Sequence, residues 1–268
     1  MVPIPTGMQP HGRLPRPPEA FLFDVYGTLF ISGSGDISIA EKESRNAGNL
    51  NALFRKFGIP APPEEILSRF FSGIEEEHAR LKSNGVDFPE VRIEEIWKSV
   101  VGLEDSERLL PFVREYEATV NPVWPMPNAE KVFHHCRMKH IPMGIISNAQ
   151  FYTAELFPDF FTSDLPALGF DPDLLFYSYV SGYAKPSPFL FQKAAAALAQ
   201  KQIKPKSVLY IGNDMLNDIY PARKAGFQTA LFAGDKRSLR LRQADERCTH
   251  LQPDIVITDL IQLTHHAA

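Results

Sequence analysis

The segment FLFDVYGTLF, residues 21–30, is an apolar run that breaks into a polar turn at Asp24. A carboxylate placed there can act as a nucleophile, forming a covalent ester or acyl phosphate that water later cleaves. Gly27 permits a turn that leaves the carboxylate oxygen free, and the hydroxyls of Thr28 and Ser147 suit the binding of an anionic substrate. Lys185 supplies a cation that offsets charge between the acids and the substrate. Asp214 and Asp218 add an acidic group, and either of them with Asp24 offers the hard oxygen donors that Mg²⁺ prefers. Each residue also has a plainer structural reading. Asp24, Asp214, Ser147 and Asn148 suit caps, Thr28 a turn, Lys185 a solvated surface, and Asp218 the positive end of a helix dipole.

Such residues act together only if the fold brings them to one place. Five apolar runs, at 20–25, 142–147, 207–212, 228–232 and 254–258, read as strands. The runs from Met143 to Ile146 and from Val208 to Ile211 are continuously apolar, as in strands buried on both faces of a parallel sheet. Pro186 and Pro188 open a helix over 189–199, at positions that need no amide hydrogen, and Gly226 closes another over 218–225. This alternation predicts an α/β fold with a doubly wound parallel sheet. Ligands of such sheets sit at the carboxyl ends of the strands. Asp24, the Ser147–Asn148 pair and the Asn213–Asp214 pair all fall at such ends, with Lys185 before the proline-started helix and Asp218 one turn past Asp214.

Residues 33–125 interrupt the pattern. They hold no convincing strand, but helical periods at 49–57, 63–82, 91–101 and 106–120, with linkers at 33–35 and 121–127. The expected division is a core of 19–32 and 126–268, an inserted all-helical region of 33–125, and residues 1–18 as an extended strap or disordered leader. His78 and Lys82 share one face of the second helix, which suits either substrate reading or a solvated amphipathic surface. Arg45 and Arg55 are cations of the same region. The pairs Phe70–Phe71 and Phe160–Phe161 read as core, and His134, His135 and His140 as surface.

A formal charge of -4 and a pI near 6.1 argue against a nucleic-acid binder. The basic stretch from Lys236 to Arg242 is followed at once by Asp245 and Glu246 and reads as a solvated helix face. Cys136 and Cys248 lie far apart, so neither a disulfide framework nor a zinc site is implied, and both are expected as reduced thiols in a cytoplasmic enzyme. No apolar run is long enough to span a bilayer, and the N-terminus with its six prolines is not a secretory signal.

The ordered set FDVYGTL, IISN, the lysine of YAKPSPFLF, and IGNDMLNDIYPARKAGF resembles the four motifs of the haloacid dehalogenase (HAD) superfamily. The resemblance runs from Phe21 to Leu263 and implies a Rossmann-like core with a C1-type helical cap and an aspartyl-enzyme intermediate on Asp24. It carries catalytic roles to Asp24, Lys185 and Asp218, and substrate contacts to Tyr26, Thr28, Ser147 and Asn148. Phosphatases of the superfamily place an aspartate where Tyr26 stands, to protonate the leaving alcohol. A phenol, with an ordinary pKa of about 10, is a poor substitute near neutral pH. A halide leaving group needs no proton, and the DxYGT pattern is similar to that of the 2-haloacid dehalogenases. The fourth motif has Asn213 where a phosphatase has its first aspartate, with Asp214 beside it, so a metal site on Asp24 and Asp214 and a metal-free site both stay open. Three functions follow from the resemblance: a dehalogenase-like hydrolase of a small anionic substrate, an Mg²⁺-dependent phosphatase or phosphotransferase, and a non-catalytic anion-binding relative.

Overall fold

The computed structural model describes residues 1–32 and 50–266. The linker expected at 33–35, Arg45, and the expected helix start at Asn49 lie outside the described residues. Nine strands are described: β1 (His11–Gly12), β2 (Ala20–Phe23), β3 (Phe30–Ser32), β4 (Val123–Pro125), β5 (Met143–Ser147), β6 (Phe170–Tyr177), β7 (Val208–Gly212), β8 (Gln228–Phe232) and β9 (Ile255–Ile257). Seven form one sheet in the order β1-β9-β8-β7-β2-β5-β6, and β3 pairs antiparallel with β4 apart from it. All neighbours in the large sheet run parallel except β1, which is antiparallel to β9.

β2 is central, and the chain winds first to one side, through β5 and β6, and then to the other, through β7, β8 and β9. The switch in winding falls at β2, so its carboxyl end faces the crevice where doubly wound sheets bind ligands. Its side chains alternate: Phe21 and Phe23 pack in one cluster with Phe133 and Ile145, while Ala20 and Leu22 join Phe191 and Leu198 on the other face. Both faces are therefore covered, one by α5 (Ala129–Met138) and the other by α6 (Phe189–Gln200). β2 stops at Phe23, short of the expected end, because the Val25 carbonyl accepts from the amides of Leu29 and Phe30 and turns the chain.

Between β3 and β4 lie α1 (Leu50–Lys56), α2 (Pro63–Ser83), α3 (Ile93–Val101) and α4 (Ser106–Val120), which share a hydrophobic core of their own. Trp97 is its centre, fully buried, stacked on Phe70 at 3.9 Å between ring centroids and edge-on to Phe112 at 5.0 Å. Among the described residues no helix is long and apolar enough to cross a membrane.

Three features depart from the sequence reading. β4 lies inside the span read as strandless, where its three residues are too few to show a period. β6 was not expected, because Asp171, Pro172 and Asp173 look like a turn; they form an irregularity over which the pairing jumps from Met143–Phe170 to Ile145–Leu175. The helix expected over 218–225 is a π-helical turn, Met215–Ile219, continued by α7 (Tyr220–Lys224). The N-terminal segment, expected as an extended strap or a disordered leader, runs extended along the core: the Ile4 amide donates to Asp235 Oδ1 (3.0 Å), and the Lys236 amide donates to the Ile4 carbonyl (2.8 Å).

Replacing Trp97 by alanine would leave a large void where it now meets Phe70, Phe112 and Tyr116. The expected loss is about 3–5 kcal/mol of unfolding free energy, to be measured by urea denaturation.

Candidate active site

The ends of β2, β5 and β7 deliver Asp24, Ser147 and Asn213 side by side, since β5 and β7 are the two neighbours of β2. The Asp24 amide donates to the Ile211 carbonyl at 2.9 Å, which ties the turn to β7. Gly27, at φ +82°, then reverses the chain. A Cβ at Gly27 would stand 2.6 Å from Ser238 Cβ and 2.7 Å from Asn213 Nδ2, so this position tolerates no side chain.

Lys185 is the hub. Its Nζ donates to Asp24 Oδ1 (2.7 Å) and Asp218 Oδ1 (2.5 Å), and lies 3.2 Å from the Tyr210 hydroxyl. All four side chains are buried. Burial is the largest influence on Lys185 and would lower its pKa, but Asp218 and Asp24 outweigh it and hold the ammonium charged, above its ordinary range. The same burial pushes Asp218 up, and Lys185 pulls it back. Asp218 is fixed further by the Tyr210 hydroxyl at 2.9 Å and by the Asp214 amide, which donates to its Oδ2 at 2.9 Å. Asn148 grips the Lys185 backbone from both sides: its Oδ1 accepts from the Lys185 amide (2.7 Å) and its Nδ2 donates to the Lys185 carbonyl (3.3 Å). Ser147 Oγ donates to Asp24 Oδ1 at 2.8 Å. Both of these neighbours bond the same oxygen, and Asp24 Oδ2 takes no hydrogen bond from any described residue.

The sequence-predicted residues thus converge, but at two depths. Asp24, Tyr26, Asn148, Lys185, Asp214 and Asp218 line one cavity of about 400 Å³. Thr28 and Ser147 stand behind that wall, Thr28 donating to Asn213 Oδ1 at 3.1 Å. The stretch from Lys236 to Arg242 is no solvated helix face but a loop that brackets the site. Asn213 Nδ2 donates to the Ser238 carbonyl (2.6 Å), and the Met215 amide to the Arg240 carbonyl (2.9 Å). Arg242 meets both oxygens of Asp214, with Nη2 2.7 Å from Oδ2.

These contacts bear on the Mg²⁺ expectation. Mg²⁺ takes near-octahedral oxygen donors, commonly from one or two carboxylates. Asp214 is paired with Arg242 and caps the π turn through the amides of Leu216 and Asn217, and both ends of the Asn213 carboxamide are engaged. No group of three metal-ligating side chains occurs among the described residues. The residues as arranged do not fit the ion.

The helices close the cavity from the other side, and sequence reading missed what they contribute. Phe70, Trp97 and Tyr116 form an aromatic wall, beside which stand His78, Glu90 and Glu117. Burial pushes the Glu90 carboxyl up to about 7, against bonds from Ser178 Oγ (2.7 Å) and the Val91 amide (3.1 Å). Burial also raises Glu117, although Asn121 and Tyr152 donate to it. Tyr26 donates to or accepts from Thr153 Oγ1 at 2.9 Å, and desolvation with the neighbouring Glu117 charge drives its phenol far above the ordinary range. Tyr26 stays neutral at any working pH. Of the two helical residues singled out in sequence, His78 lines the cavity and Lys82 is exposed.

The family model for haloacid dehalogenase-like hydrolases matches residues 18–226, and the chain belongs to that family. It is a hydrolase of the HAD type, as its four motifs imply. The fold is similar to a HAD phosphatase from Thermococcus onnurineus (18% identity, TM-score 0.55, covering 92% of this chain and 96% of that one). It is similar also to a 2-haloacid dehalogenase from Pseudomonas syringae pv. Tomato DC3000 (19% identity, TM-score 0.54, 92% and 96% covered). An L-2-haloacid dehalogenase, RSc1362, is a third (16% identity, TM-score 0.53, 92% and 96% covered). No curated protein matches the chain by sequence.

Lys185→Met would leave Asp24 and Asp218 facing each other without a cation. The expected cost is about 3–5 kcal/mol in denaturant titration, as for other buried pairs deprived of one partner. Glu90 gives a pH signature. Its folded pKa of about 7 lies above the ordinary 4.5, so the folded state binds the extra proton and stability falls as pH rises between those values. Glu90→Gln removes that slope: the variant gains on the parent in thermal melts above about pH 7 and not near pH 4.5.

Proposed function

We propose that Asp24 is the nucleophile of a hydrolase that displaces a halide from carbon. The observation that carries this reading is the one-sided holding of its carboxylate: Asp24 lines the cavity, Ser147 and Lys185 bond its Oδ1, and its Oδ2 has no described partner. Oδ2 forms a bond to the substrate carbon while the carbon–halogen bond breaks and the halide leaves with its electron pair. Water then adds to the Asp24 carbonyl carbon of the ester, the alcohol product departs, and one proton is released. A halide needs no general acid, which agrees with a phenol at Tyr26 that is held neutral. Lys185 holds Asp24 ionised and oriented, and Asp218, Tyr210 and Asn148 hold Lys185. Because Asp214, which would have to bind Mg²⁺ together with Asp24, is paired with Arg242, no step is assigned to a metal. The anionic part of a small substrate is met by Arg240, which lines the cavity and pairs with no described carboxylate, and not by Thr28 or Ser147. Two of the similar structures are haloacid dehalogenases, which agrees with carbon–halogen chemistry.

Single turnover of a mixture of 2-haloacids in heavy-oxygen water tests this. The label is expected in the Asp24 carboxylate of the digested protein, with free halide released equally with and without chelator. Asp24→Asn is expected to abolish turnover and leave the thermal melt close to that of the parent. Label confined to the product alcohol, or phosphate release from phosphoesters that chelator abolishes, would overturn the proposal.

A further inference from the structure

The residues before β1 meet the loop that brackets the site. Thr6 Oγ1 donates to the Ala233 carbonyl (2.7 Å), just past β8. Ile4 then grips two consecutive loop residues, its amide donating to Asp235 Oδ1 (3.0 Å) and its carbonyl accepting from the Lys236 amide (2.8 Å). The Val2 carbonyl accepts from Arg237 Nη2. Val2 and Ile4 are exposed, so apolar burial does not hold them there, and the bonds to the loop do. Pro3 and Pro5 favour extended backbone at Val2 and Ile4, and they leave Ile4 the one amide donor between them. Prolines also limit the freedom that such a segment loses on ordering.

The loop carries these contacts onward to the cavity. The Asp235 side chain is fully buried and accepts also from the Arg237 amide (3.3 Å) and Nε (3.1 Å). Its carbonyl accepts from the amides of Ser238 (3.2 Å) and Leu239 (3.0 Å). The Arg237 carbonyl accepts from Arg240 Nη1 (2.5 Å), and the Arg240 amide donates to the Asn213 carbonyl (2.9 Å). A run of bonds therefore leads from Val2 and Ile4, through Asp235 and Arg237, to the guanidinium of Arg240, a residue that lines the cavity. We propose that residues 2–6 are positioning residues of the site: they touch no substrate, and they hold the loop so that Arg240 and Asn213 keep their places at the cavity. What Arg240 then binds rests on the proposed function, whereas the hold on the loop does not.

Two substitutions in the full chain weaken the grip and leave the cavity lining intact. Ile4→Pro removes the amide that Asp235 accepts from, and Thr6→Val removes the hydroxyl on the Ala233 carbonyl. In the double variant, hydrogen exchange is expected to rise about tenfold at the amides of Lys236, Arg240 and Met215, as for the loss of one hydrogen bond to a charged group, and to stay unchanged in β2 and β5. Calorimetric titration with mandelate, a 2-hydroxy acid without a halide, is expected to show weaker binding in the double variant and in Arg240→Gln. The three substitutions together should weaken it no more than Arg240→Gln alone, because the segment acts through that side chain. Ile4→Ala, which keeps the amide, should match the parent. Exchange raised only within residues 1–12, mandelate affinity equal in parent and double variant, or losses that add in the triple variant would each overturn the proposal. Raised exchange at Arg240 and Met215 in a protein whose parent binds no mandelate would uphold the hold on the loop and remove Arg240 from the proposed function instead.

Discussion

One ammonium between two buried carboxylates organises the whole sheet edge. Asp24 and Asp218 accept from the same Nζ, at 2.7 and 2.5 Å, and they come from chain segments far apart in sequence. Two ionised carboxylates this near one another are stable in a dry site only if a cation lies between them. That requirement explains much else that surrounds it. Gly212 carries no side chain because a Cβ would collide with the Asp218 carboxyl group. Asn148 is used on the Lys185 backbone because the direction of a four-carbon stem is set where it leaves the chain. Tyr210 bridges Lys185 to Asp218 from within β7, and burial together with Asp218 keeps its phenol neutral.

Tyr26 follows from the same electrostatics seen from the helical side. Its ring lies between Asp24, which belongs to the Lys185 network, and Glu117, which has no cation. An aspartate in that place would be a further carboxylate among acids whose one nearby ammonium is already shared. A phenol fills the space, reaches Thr153, and adds no charge. A neutral phenol at position 26 thus suits a helical wall that carries two carboxylates.

Much of this was legible in sequence, for a physical reason. Continuous apolar runs mark strands covered on both faces, and the residues that end them point to one crevice; hence β2, β5, β7, β8 and β9, and with them Asp24, Ser147 and Asn213. β6 escaped because Asp171 and Pro172 mimic a turn, and β3 and β4 because three residues carry no period. The loop from Lys236 to Arg242 escaped because its role is made by partners distant in the chain: Asp214 for Arg242 and Asn213 for Ser238. Trp97 and Glu117 belong to amphipathic helices and Glu90 to the loop before one; packing buries Trp97 and half-buries the two glutamates, and nothing local distinguishes the three from their neighbours.

The fate of Asp214 shows how pairing with a cation takes a carboxylate out of a site. The strand end after β7 supplies two side chains, Asn213 and Asp214, either of which an unpaired arrangement could turn toward Asp24. Here the loop after β8 returns over them, and Asp235 at its start is anchored by the Ile4 amide of the N-terminal segment. Arg242 then neutralises Asp214, while Ser238 and Thr28 hold Asn213 as a neutral bridge between the turn after β2 and the loop. A negative oxygen that could have served a divalent ion becomes part of the framework. Asp24 still lines the cavity, with Lys185 on its Oδ1 and no described donor on its Oδ2. If Asp24 attacks carbon as proposed, a carboxylate so held calls for a good leaving group on that carbon.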